Sequence, residues 1–132
     1  MTSENGSAPV QIESNQYIDM TQNARLLGFD ADFNIYVTHF VWETYIVWSA
    51  EDDQFFKIHQ TQHERQNQIL KDAINLLSSN KEIIPETELF FNRYILIRKI
   101  QITELELALF KLNSARNEQD EICLIIDAVK IT

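Results

Sequence analysis

The scarcity of glycine and proline is the feature that most constrains this chain. The 132 residues contain two of each, at Gly6, Pro9, Gly28 and Pro85. Neither residue type occurs in segments 29–84 and 86–132. Hairpin turns favour residues that accept positive φ, so a long β-meander without turn glycines or prolines is unusual. Long helices need neither residue, and the pattern therefore predicts an all-α fold.

We expect a bundle of about five helices, two of them long and rich in aromatic residues. The predicted helices cover residues 15–27, 31–48, 50–79, 85–113 and a short segment that Asn117 caps. Gly28 ends the first helix, Asp30 caps the second, Ser49 and Asp52 resemble a capping box for the third, and Pro85 begins the fourth. The polar residues 1–14 are predicted to form a flexible arm, and residues 15–132 a single helical domain.

The C-terminal third also carries a strand-like pattern. The segment YILIRKIQITELELAL, which begins at Tyr94, alternates in places and is rich in isoleucine, a residue that favours strands. Residues 89–112, drawn as a helix, have polar side chains on every side, and the final EICLIIDAVKIT could also be extended. An α+β fold with a C-terminal β-hairpin is therefore the alternative to the all-α bundle.

The charge of the chain excludes several classes of partner. Eleven basic and 20 acidic residues give a net charge of −9, and eight of the eleven bases lie after residue 66. Nucleic acids and anionic membranes require lysine and arginine to neutralise phosphate, so neither is an expected partner. An acidic coat keeps a protein soluble, or it can meet a basic protein partner.

Four side chains form the candidate site. His39 and Glu43 lie four residues apart on the predicted helix 31–48, where they form a narrow polar stripe on an otherwise apolar surface. His59 and His63 are also four apart, and on helix 50–79 they fall inside the apolar arc with Gln62 and Gln66. Antiparallel pairing of the two helices would bring the stripes together.

This spacing supports a metal-site hypothesis. His-x-x-x-Glu on one helix and His-x-x-x-His on the next resembles the middle of the hemerythrin pattern over those four positions. The resemblance implies a metal ion between the helices. The flanking histidines of that family are absent, since residues 11–30 contain none and none follows His63. A mononuclear site at His39, Glu43, His59 and His63 is the form that remains, and structural packing of the same polar groups is the alternative.

No motif indicates catalysis. The chain has no glycine-rich phosphate loop and no CxxC pair, and its single cysteine, Cys123, lies among apolar residues as expected for buried filler. The N-terminus lacks the basic start and apolar run of a secretory signal, so the cytoplasm is the expected compartment. We therefore expect a small acidic, non-catalytic interaction or regulatory module without a cofactor. A metal-binding bundle and a carrier of an apolar ligand are the alternatives.

The apolar helices also predict self-association. Helix 31–48 is hydrophobic almost all round, and segment 89–112 has no coherent polar side. A five-helix monomer can enclose one such helix, but enclosing two is difficult. We therefore expect a two-fold homodimer, with Trp42, Tyr45 and Phe91 as candidates for the centre of its interface.

Overall fold

The chain folds as an α+β protein around one five-stranded sheet. The computed structural model describes residues 11–79, 88–97 and 105–129. Its strands are β1 (Ile18–Asp19), β2 (Asn34–Val37), β3 (Glu88–Ile95), β4 (Glu106–Arg116) and β5 (Ile122–Ala128). Its helices are α1 (Thr21–Leu26), α2 (His39–Val41, continued by a π-helical turn, Trp42–Ile46), α3 (Ala50–Phe56) and α4 (Gln62–Ser78), and a 3₁₀ turn covers Ser14–Gln16. The all-α prediction is wrong. The class is the α+β alternative, with a five-stranded sheet where that alternative expected a hairpin.

The sheet joins strands that are distant in sequence. Its order is β1-β2-β5-β4-β3, with β2 and β5 parallel and every other neighbouring pair antiparallel. Ile35 lies opposite Leu124, and Phe91 lies opposite Phe110. The chain between β2 and β5 contains α2, α3, α4 and the β3–β4 pair. The β2–β5 pairing therefore joins residues 89 positions apart in the sequence, such as Asn34 and Cys123.

The main core lies between the helices and one face of the sheet. Helix α4 buries Ile69, Leu70 and Ala73 against it. The sheet contributes side chains that alternate along each strand, since successive residues point to opposite faces: Ile35, Val37, Ala108, Phe110, Leu112, Leu124, Ile126 and Ala128. The α2 segment adds Val41, Tyr45 and Ile46.

The two long segments predicted as apolar helices have other structures. Segment 31–48 is strand β2 followed by α2 and its π-helical turn, which is why its hydrophobic residues surround a helical projection on every side. The predicted helix 85–113 contains strand β3 and most of β4, and side-chain burial alternates along both strands. The segment predicted as the fifth helix is β5.

The hairpin between β4 and β5 turns without glycine or proline. The Oδ1 atom of Asn117 accepts hydrogen bonds from the backbone N–H groups of Gln119 and Glu121, each at 3.0 Å. Asp120 adopts the left-handed conformation at φ 60°, which aspartate and asparagine tolerate better than most residues. Asn117 therefore closes a hairpin and does not cap a helix. The absence of glycine did not exclude a meander.

Two of the predicted helix boundaries are confirmed. Helix α1 ends just before Gly28, where φ is 101°, and the N–H groups of Gly28 and Phe29 bond back to the carbonyls of Arg25 and Ala24 in a Schellman motif. The predicted helix 15–27 is shorter than expected, because Ser14–Gln16 is a 3₁₀ turn and Ile18–Asp19 is β1. Ser49 and Asp52 form the predicted capping box at the start of α3. The predicted helix 50–79 is interrupted, because Lys57 is left-handed at φ 56° and separates α3 from α4. Asp30 precedes no helix.

The second face of the sheet is covered at one end by residues 11–17, the N-terminal strap. Ile12 and Tyr17 pack there with Tyr36, Cys123 and Ile125 in a second, smaller cluster. The N–H of Ile12 donates to the carbonyl of Arg116 at 2.7 Å. Residues 11–14 of the predicted arm thus lie against the sheet, and residues 1–10 lie outside the described part of the chain.

Candidate functional site

The structure separates the four predicted metal ligands. His39 begins α2, Glu43 lies in the π-helical turn, His59 lies in the loop before α4, and His63 lies in the first turn of α4. All four residues are exposed. The predicted pairing of two stripes fails because segment 31–48 is not one helix and His59 lies outside any helix. Gln66 alone of the buried candidates is confirmed in the interior.

The histidines have neighbours of their own. His59 Nδ1 lies 3.0 Å from Asp53 Oδ2, and its side chain is 81% exposed. His63 Nε2 lies 3.1 Å from the Nδ2 atom of Asn67, one turn along α4. Across residues 11–79, 88–97 and 105–129, no group of three or more His, Cys, Asp or Glu side chains could hold a metal ion.

Asp53 organises the loop between α3 and α4. Its Oδ1 atom accepts from the indole Nε1 of Trp48 at 2.6 Å and from the backbone N of Gln60 at 3.0 Å. These hydrogen bonds, with that to His59, lower the pKa of Asp53 to about 2, with the Trp48 bond as the largest cause. The carboxylate is a structural acceptor that fixes the loop against Trp48.

A buried arginine links this loop to the sheet. Arg65 is 1% exposed, and its guanidinium lies 4.6 Å from the Trp48 ring centroid. Its Nη1 donates to Gln60 Oε1 at 3.0 Å and its Nη2 to the carbonyl of Leu96 at 2.8 Å. Trp48 stacks on Phe56, and both pack with Leu96 just after β3. These contacts hold the end of β3 and present no reactive group to solvent.

The aromatic residues predicted at a dimer interface face the interior of the chain. Tyr45 and Phe91 contact Phe110 from two sides, with ring centroids 5.0 and 5.1 Å away. Trp42 is half-buried against the same core. The prediction placed these residues on two apolar helices with no other surface to cover, and the structure provides that surface within one chain; self-association itself stays a prediction.

An exposed apolar surface lies elsewhere, on the side of β3 and β4 that faces away from the helices. We call it the open face. Tyr94 is 65% exposed and Phe90 49%. Cross-strand pairing places Tyr94 opposite Leu107, and Val129 donates its N–H to the carbonyl of Leu109 at 2.8 Å. The open face consists of Phe90, Tyr94, Leu105, Leu107, Leu109 and Val129.

The open face is close to neutral. One row across three strands contains Phe90, Lys111 and Asp127, which are cross-strand neighbours, and Glu88 lies at one end of β3. Asp127 is held in place because its Oδ1 accepts from Thr38 Oγ1 at 3.0 Å. The acidic excess of the chain therefore lies mainly on other surfaces, including the first turn of α3.

Sequence reasoning missed the open face although its signal was present. Leu105, Leu107 and Leu109 alternate with polar or small residues, as expected for a strand with one distinctive side. A helical projection of the segment does not place these leucines on a single face. In a strand, where every second side chain points to the same side, the three share one face.

The described cavities are small or shallow. One cavity, between the loop after α1 and the end of α4, has a volume of about 150 Å³ and is lined by Phe29, Phe33, Ile74 and Leu77 among others. Pockets for small-molecule ligands usually span about 300–1,000 Å³. This cavity gives little support to the apolar-carrier hypothesis.

Comparisons with known proteins identify no relative of this chain. No family model, no curated protein and no solved structure matches the chain. In the described part of the chain, every helix is too short or too polar to cross a membrane. The open face is therefore the feature of the molecule that points to a function.

Proposed function

We propose that the protein is a non-catalytic protein–protein interaction module whose contact surface is the open face. The observation that carries this proposal is the set of large apolar side chains grouped on one side of β3 and β4. Contiguous exposed apolar surface on a soluble domain typically marks a site of association. Tyrosine and phenylalanine are also enriched at the centres of protein interfaces.

The contrast within the sheet supports this reading. At the β2–β5 end, the same side of the sheet is covered by Ile12 and Tyr17 of the N-terminal strap. No described element packs over Phe90 or Tyr94 in the corresponding position on β3. A partner protein would supply the cover that the strap supplies at the other end. The net charge of −9 disfavours nucleic acid in that role.

Site-specific photo-crosslinking in the native cells tests the proposal. A benzophenone amino acid replaces Tyr94 in one version and Leu26 in the other. Leu26 is the matched control, since it is 86% exposed on α1 and belongs to neither the open face nor the sheet. We expect a discrete protein adduct from position 94 that is absent from position 26. Equal labelling from both positions, or none from either, would contradict the proposal.

A further inference from the structure

We infer that the partner of the open face is the open face of a second copy of this chain. This inference rests on the proposed function and identifies its partner. The contact is a two-fold packing of sheet on sheet, in which the same residues of both copies meet. Its centre contains Phe90, Tyr94 and Leu107 from each copy.

Charge selects this partner over others. The chain carries −9 in all, yet among the described residues the charged side chains of the open face and its margin are one base, Lys111, and two acids, Glu88 and Asp127. A basic partner would be drawn more strongly to the acidic surfaces elsewhere, such as the first turn of α3. A nearly neutral apolar surface fits another of the same kind, and the second copy has one.

The few charges are also self-complementary. In a two-fold contact, Lys111 of one copy can meet Asp127 of the other, and the reverse contact follows by symmetry. Thr38 already orients Asp127 beside the face. Opposite charges that face each other across an interface fix its register more than they raise its affinity.

The size of the open face limits the affinity of the dimer. Three strands about 4.8 Å apart and about eight residues long outline a surface of roughly 14 by 26 Å. That area, about 360 Å², is less than half of the ~800 Å² per partner that stable interfaces bury, so the contact belongs with the weak, transient interfaces. We therefore expect a dimer that dissociates on dilution through the micromolar range.

Sedimentation equilibrium from about 1 to 500 µM tests the inference. The wild-type chain should pass from one to two chain masses across this range. The double variant Phe90→Ser/Tyr94→Ser should stay monomeric or bind at least tenfold more weakly, while Leu26→Ser should match the wild type. Circular dichroism verifies that each variant is folded, and Leu107→Thr replaces the double variant if that one is not.

A charge-exchange pair tests the geometry. Lys111→Glu should weaken the dimer several-fold, and adding Asp127→Lys should restore it. A wild-type chain that is monomeric at 500 µM, or a dimer that survives the Phe90 and Tyr94 substitutions, overturns the inference.

The photo-crosslink keeps the two proposals separate. An adduct from position 94 at twice the chain mass supports both. An adduct with a different protein that depends on Phe90 leaves the interaction module in place and rejects the second copy.

Discussion

The two ends of the sheet are stabilised in different ways. At the β2–β5 end, apolar side chains cover both faces, with the helices on one side and the N-terminal strap on the other. At the β3–β4 end, the helices cover one face and the other is the open face. Polar contacts secure β3 there: Arg93 Nε and Nη2 bind Asp72 of α4 at 2.6 and 3.0 Å, and Arg65 donates to the carbonyl of Leu96.

This difference separates stability from recognition. A side chain on the covered faces is needed for folding, because its removal leaves a cavity. A side chain on the open face can change without loss of the core, so it is available for binding. Residues on the two opposite sides of β4 should therefore respond very differently to truncation to alanine.

The largest expected effect is at Phe110. This residue is fully buried and contacts both Tyr45 and Phe91. Phe110→Ala should lower the free energy of unfolding by about 3–5 kcal/mol. Leu107→Ala, three residues earlier on the open face, should lower it by less than about 1 kcal/mol. Urea denaturation at a concentration where the chain is monomeric measures both. Equal losses would show that the open face is part of the core.

The N-terminal strap should show the next largest effect. Ile12 is buried, and its N–H bonds to Arg116, so Ile12→Ala should lower the free energy of unfolding by about 2 kcal/mol. The exposed neighbour Glu13 gives the control, Glu13→Ala, for which we expect a change within about 0.5 kcal/mol. If the two variants unfold at the same urea concentration, the strap does not cover the sheet in solution.

Local signals in the sequence predicted local structure well. Gly28 ends α1 through a backbone conformation that glycine adopts without strain, and Ser49 with Asp52 satisfies the first N–H groups of α3. These features depend on neighbours within a few residues. They could therefore be read without knowledge of the fold.

The fold class depended on contacts that the sequence does not display. β2 is four residues long and is stabilised by pairing with β5, almost ninety positions away. A strand that short in an apolar segment resembles part of a helix until its partner is known. The turn at Asn117 was a second cause, since an asparagine that closes a hairpin also fits the start of a helix.

The grouping of the candidate site depended on the same fold prediction. His39, Glu43, His59 and His63 were grouped by helical spacing, and that grouping required two long helices. Lys57 ends α3 in the left-handed conformation, so His59 lies in a loop. The four-residue spacing therefore does not place His59 and His63 on one helix face. The buried position of Gln66 was predicted correctly because this residue lies within α4, which is a helix as expected.

A smaller effect is expected at the polar contact on β3. Asp72→Asn removes the charge that holds Arg93, a pair in which both side chains are partly exposed. Such pairs contribute about 0–1 kcal/mol, so the loss should be about 0.5 kcal/mol at low salt and should shrink at 1 M NaCl. Asp32→Asn, an exposed acid outside the sheet, is the control. A loss independent of salt would indicate that the contact acts through packing.

The smallest expected effect is local and depends on pH. The folded chain lowers the pKa of Asp53 to about 2 from an ordinary value of 3.8, so its contribution to stability is complete above pH 4. That contribution is lost as the pH falls from about 4 through 2, where the folded carboxylate gains a proton and its bonds to Trp48 and Gln60 weaken. The Asp53 carboxyl carbon, followed by NMR, should titrate near pH 2. In Trp48→Phe, which removes the donor with the largest influence, the midpoint should move toward 3.8. A wild-type midpoint already near 3.8 would show that the hydrogen bonds from Trp48 and Gln60 do not hold this carboxylate in solution.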